Sequence, residues 1–136
     1  MRRGLGLQFE VRLLLAFGTI LLVVLVLGSG NLSFEEARSK AHQDRSSFSP
    51  GQLSRLEKFQ ARFTEQAFPP CLESTGDVPG SFAVVVEVGT NGHVLRSWRQ
   101  GDSDFVICFQ QLMTDNFVFV SMGQPFFTMI EYVRAS

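Results

Sequence analysis

The chain has 136 residues, 45% of them apolar, with 12 Lys or Arg against 13 Asp or Glu and a formal charge of −1. The near-balance hides a division: residues 1–12 carry three Arg against Glu10, whereas residues 31–136 carry nine Lys or Arg against twelve Asp or Glu. The acidic part, about 105 residues, is enough for one domain but not two, and its charge argues against nucleic acid as a partner because phosphate binding needs a basic surface.

Residues 13–30 follow Arg2, Arg3 and Arg12 and are almost wholly apolar. At ~1.5 Å per residue they reach ~27 Å as a helix, close to the ~30 Å of a bilayer's hydrocarbon, with Arg12 free to snorkel. Such a run is either a single transmembrane anchor or a signal segment cleaved near Gly30, with Gly28 and Gly30 as the small residues before the cut. Under either reading residues 1–12 stay in the cytoplasm, by the positive-inside rule. Residues 31–136 are then delivered across the membrane.

Residues 31–48 read as a polar linker, a frayed helix or flexible chain, carrying Glu35, Glu36, Arg38, Lys40, Asp44 and Arg45. A domain is expected over residues 49–136. Ser49, Pro50 and Gln52 form a capping-box start. Leu53, Leu56, Phe63 and Ala67 follow at helical spacing, and Pro69 and Pro70 are expected to end the helix. Residues 81–88 alternate as a strand, with Phe82, Val84, Val86 and Val88 on one face and Ala83, Val85 and Glu87 on the other. Asn91 and Gly92 predict a two-residue type I′ hairpin into a return strand at 94–99. Ser103 or Asp102 caps a second helix whose Phe105, Cys108, Phe109 and Leu112 share one face. Residues 116–120 are strand-like, and residues 126–133 form the last strand. The expected fold is α+β: a three-stranded antiparallel sheet with two helices on one face, in the order helix, strand, strand, helix, strand. The 14 Phe residues are expected to build its core.

Cys71 and Cys108 are an even pair behind an export signal and are expected to be joined as a disulfide, worth about 3–4 kcal/mol by loop entropy. Catalytic and metal chemistry find little support. His42 and His93 lack ligand spacing. Asp102 and Asp104 suit a helix N-terminus, and Ser97 and Ser103 lack a nucleophile elbow. No cofactor is expected, and the protein is not expected to be an enzyme. Trp98 is either a binding anchor or a sheet residue packed under Arg96 or Arg99.

The run Phe82 to Val88, then Asn91, Gly92, His93 and Val94, then a helix holding Cys108 and Leu112, then Gly123, Gln124, Pro125 and Phe126 leading into a strand, resembles the C-terminal domain of TonB and TolA-like proteins. The resemblance covers roughly residues 50–136. It implies a periplasmic domain that acts by contacting proteins, often by pairing a sheet edge with a partner peptide, and it brings no catalytic residues. The chain lacks a Pro-rich spacer between Asn31 and Ser49, and its apolar run offers only Gly18 and Thr19 as less apolar positions. It is therefore similar to a short, stand-alone member rather than an energy transducer.

The expectation is a non-enzymatic periplasmic interaction domain, tethered to the inner membrane through residues 13–30 and accessory to an envelope or transport complex. The alternatives are a protein released into the periplasm by cleavage, and an exported small-ligand-binding protein or small enzyme with an apolar pocket of ~300 Å³ or more. The partner is expected to be an envelope protein or peptide bound at a sheet edge. Phe127, Met129, Glu131 and Val133 of the last strand, with Trp98, are the candidate contacts.

Overall fold

The computed structural model of the protein describes residues 31–120 and 122–135, so the basic N-terminus and the apolar segment 13–30 lie outside the described residues. Among the described residues no helix is both long and apolar enough to cross a membrane. The elements run α1 (Phe34–Ser47), α2 (Pro50–Thr75), β1 (Phe82–Val88), β2 (Val94–Gln100), α3 (Asp104–Asn116) and β3 (Phe126–Tyr132). The α+β class and the three-stranded antiparallel sheet are as expected, with strand order β2-β1-β3.

Among the described residues the helices are three, not two, and they lie on both faces of the sheet. Residues 34–47 are a capped helix. The Ser33 hydroxyl accepts from the Glu36 N–H at 3.2 Å, and the Glu36 carboxylate accepts from the Ser33 N–H at 3.0 Å. Ala37 and Ala41, one turn apart, are buried against Val85, with Phe34, Trp98, Phe127 and Met129 partly buried around them. Small side chains let the helix backbone approach the sheet closely. This explains why β1 is buried at every position but Glu87: a strand covered on both sides carries a near-continuous apolar run.

On the other face, α2 and α3 enclose the main core. Phe82, Val84, Val86 and Val88 of β1 meet Leu56, Phe63, Phe105, Phe109, Met113 and Ile130 there. Phe109 is fully buried, 5.2 Å ring to ring from Phe82 and 6.0 Å from Phe63. The core is filled by interlocking edge-on phenylalanines, an arrangement aromatic quadrupoles favour. Cys71 of α2 and Cys108 of α3 are joined, with Cα atoms 5.7 Å apart across 37 positions.

Three local expectations are corrected. The helix α2 does not stop at Pro69 and Pro70 but continues to Thr75. The carbonyls that lose a donor there belong to Glu65 and Gln66, both exposed and open to water. Phe68 is held in the core by Phe82, Phe105 and Tyr132. The helix then closes on Gly76, at φ 67, which donates to the Leu72 carbonyl at 2.8 Å.

The hairpin is not a two-residue type I′ turn, because Asn91 does not take positive φ; Gly92 alone does, at 83°. Gly92 N–H donates to Gly89 O and Gly89 N–H to His93 O, each at 2.9 Å. The loop is therefore longer, and the β1–β2 register slips between Glu87 and Val88. A Cβ at Gly92 would fall 2.7 Å from the Phe119 backbone, so the glycine also admits a close approach. Finally, the strand-like stretch 116–120 adds a single bridge, His93 to Val118, with Phe119 N–H donating to Gly92 O at 2.9 Å.

Candidate functional site

The candidate residues of β3 and Trp98 gather beneath and beside α1. Trp98 and Phe127, on the two outer strands, are partly buried over Val85 with ring centroids 5.9 Å apart. The Arg96 guanidinium lies 5.1 Å over the Trp98 ring, and the Lys40 ammonium 5.5 Å from the Phe127 ring. Arg96 also holds the Glu87 carboxylate at 2.6 Å. Trp98 is thus a sheet residue packed under Arg96. Met129 is half-buried on the same face, and Glu131 sits 4.0 Å from Arg38 of α1. Val133 lies past the end of β3 and is exposed. The structure brings Trp98, Phe127 and Met129 together; Val133 stands apart.

The two edges of the sheet differ. On β3, the backbone groups of Phe127, Met129 and Glu131 point away from β1. Asp44 of α1 takes the Phe127 N–H at 2.7 Å. From the opposite face, Gln60 of α2 donates to the Met129 carbonyl at 3.3 Å and to the Thr128 hydroxyl at 2.7 Å. Helices on both sides therefore reach round this edge and engage it. Sequence reasoning missed both Asp44 and Gln60.

The same parity makes Ser97 and Arg99 the outward backbone positions of β2, since Trp98 and Arg96 pair toward Val85 and Glu87. Their side chains are occupied on the α3 face. Ser97 accepts from Gln110 at 3.0 Å and lies 3.2 Å from the Thr114 hydroxyl, while Arg99 donates to Gln110 at 3.0 Å. Their outward N–H and C=O groups make no hydrogen bond among the described residues. Leu95 beside them is exposed. A short row of backbone groups unpaired among the described residues, on an exposed strand, is a template for another strand.

Other chemistry is dispersed. Among the described residues no cluster of His, Cys, Asp or Glu is placed to hold a metal ion. His42 is exposed on α1, while His93 is fixed by the bridge to Val118. Asp102 lies 3.9 Å from Arg99, Asp104 is in the first turn of α3, and Asp115 accepts from Gln111. Ser103 caps α3 through the Val106 N–H. The surface has shallow clefts of about 250–350 Å³. One runs along β3 between Ala41, His42, Arg45, Leu56 and Glu131; another lies between α2 and the segment 118–120. No family model, curated protein or solved structure matches this chain.

Proposed function

We propose that the protein is a non-enzymatic interaction domain working in the periplasm, tethered to the inner membrane through residues 13–30 and accessory to an envelope complex. The reading is carried by one observation: among the described residues β2 presents the outward backbone groups of Ser97 and Arg99 without partners, whereas β3 has outward groups taken by Asp44 and Gln60. An extended peptide completes such an edge through main-chain hydrogen bonds, and neighbouring pockets select its side chains. The joined cysteines suit an oxidising compartment. The likeness of residues 50–136 to TonB and TolA-like C-terminal domains points the same way. The alternative of an internal apolar ligand pocket is not favoured, because phenylalanines occupy the space between the sheet and α2 and α3.

The test is site-specific photo-crosslinking in the envelope of cells making the full chain. A crosslinker at Leu95 is expected to capture a discrete partner that a crosslinker at Phe127 does not. Ser97→Pro removes one outward donor and should abolish the adduct. Ser97→Ala, which keeps the N–H and loses only the hydroxyl, should retain it. An adduct that survives Ser97→Pro in a folded protein would remove the β2 edge from consideration.

A further inference from the structure

The acidic domain carries one concentrated basic surface. Arg55, Lys58 and Arg62 lie at i, i+3 and i+7 of α2, within about 60° of one another around the helix and spread over ~10 Å of its length. All three are exposed, and among the described residues none has a carboxylate within 4.0 Å. Every other described Arg except Arg134 is in an ion pair. The three cations form one wall of a groove of about 350 Å³. The facing wall is the extended segment 118–120, which buries Phe119 and turns Val118 and Val120 outward, Val120 being 63% exposed. Phe59, partly buried and 5.3 Å from the Phe119 ring, forms the floor.

From this arrangement we infer that the groove binds an extended segment of a partner protein in which carboxylates alternate with small apolar side chains. The argument is charge complementarity joined to spacing. Cations 58 and 62 are ~6 Å apart along the helix, and alternate residues of an extended chain are ~6.6 Å apart. A strand lying in the groove therefore sets its carboxylates against Lys58 and Arg62 while its other face meets Val118, Val120 and Phe59. A bilayer is the poorer fit, because the aromatic groups lie at the bottom of a recess instead of projecting from it. Nucleic acid is poorer still, since three cations neutralise too few phosphates for an otherwise acidic domain. This surface uses no residue of the β2 edge, so its test stands or falls apart from the reading above.

The test uses the full chain in neutral detergent micelles and a fluorescein-labelled octapeptide alternating Glu and Val, followed by fluorescence anisotropy. Saturable binding is expected, weakening as salt rises from 50 to 500 mM, and absent for the same peptide with Lys in place of Glu. Combined Arg55→Glu, Lys58→Glu and Arg62→Glu substitution should weaken binding at least tenfold, and Val120→Asp should weaken it as well. Arg55→Gln, Lys58→Gln and Arg62→Gln together give the same reading without introducing repulsion, should the reversal perturb folding. The proposal is overturned if the Glu-Val peptide does not bind, or binds the neutralised variant equally well. It is equally overturned if phosphatidylglycerol vesicles capture the protein through these three residues while the peptide does not.

Discussion

The two faces of the sheet are built from different materials. One face holds a deep aromatic core closed by α2 and α3 and stapled by Cys71–Cys108. The other holds a thin layer: two alanines of α1 over Val85, ringed by half-buried Phe34, Trp98, Phe127 and Met129. The first face carries the stability of the fold, because free energy scales with apolar area removed from water. The second gains less from burial and depends more on polar links, including Asp44 to the Phe127 backbone and Arg38 to Glu131. A covering helix with few apolar contacts belongs to the low-stability end of local opening.

Truncating a ring in the thick face should have the largest effect. Phe109→Ala empties the centre of the aromatic cluster and is expected to cost about 3–5 kcal/mol, read as a lowered midpoint in chemical denaturation. A fragment starting at Ser49, compared with one starting at Ser33, removes α1 and exposes the second face. We expect a cooperative melt from both, with the shorter fragment less stable by about 1–3 kcal/mol, the scale of uncovering one valine and its partly buried neighbours. The single tryptophan, Trp98, sits on that face and should shift its emission to the red on truncation. A loss as large as that of Phe109→Ala would mean the two faces form one cooperative unit and would erase the contrast.

Smaller changes sharpen it. Asp44→Ala leaves the Phe127 N–H without its acceptor and should cost about 1–2 kcal/mol; hydrogen exchange at Phe127 should accelerate more than exchange in β1. Arg38→Ala breaks a long, exposed pair with Glu131 and should move stability by less than about 0.5 kcal/mol. If thermal melts show a larger loss for Arg38→Ala than for Asp44→Ala, charge pairing and not the edge hydrogen bond fastens α1.

The thick face was legible in the sequence because its signals are local. Ser49 and Gln52 mark the start of α2, alternation marks β1, and Phe105, Phe109 and Cys108 share a helical stripe. The thin face was harder to read. Ser33 and Glu36 form the same type of box as Ser49 and Gln52, so the start of α1 was visible in principle. Its buried stripe is only Ala37 and Ala41, which do not register as an apolar face amid Glu, Arg, Lys and Asp. The unbroken Phe82-to-Val86 run reads as alternation with both helices on one face, although a run apolar on both sides is what a strand covered twice carries. Pro69 and Pro70 misled because a proline's cost depends on whether the freed carbonyls meet water, a property of tertiary position. The difference between the sheet edges was not legible at all. It rests on Asp44 and Gln60 meeting β3 across 83 and 69 positions of sequence.

Gly92 ties together places that otherwise look separate. Its carbonyl receives the Phe119 N–H, its neighbour His93 bridges to Val118, and a Cβ at position 92 would strike the Phe119 backbone. The hairpin that launches β2 and the outer wall of the basic groove therefore share one joint. Any side chain at position 92 would pry that joint open and disturb both surfaces at once, whereas a change at Ser97 or at Lys58 touches only its own. The strand edge and the groove are thus two surfaces that share a glycine hinge-point and no binding residue.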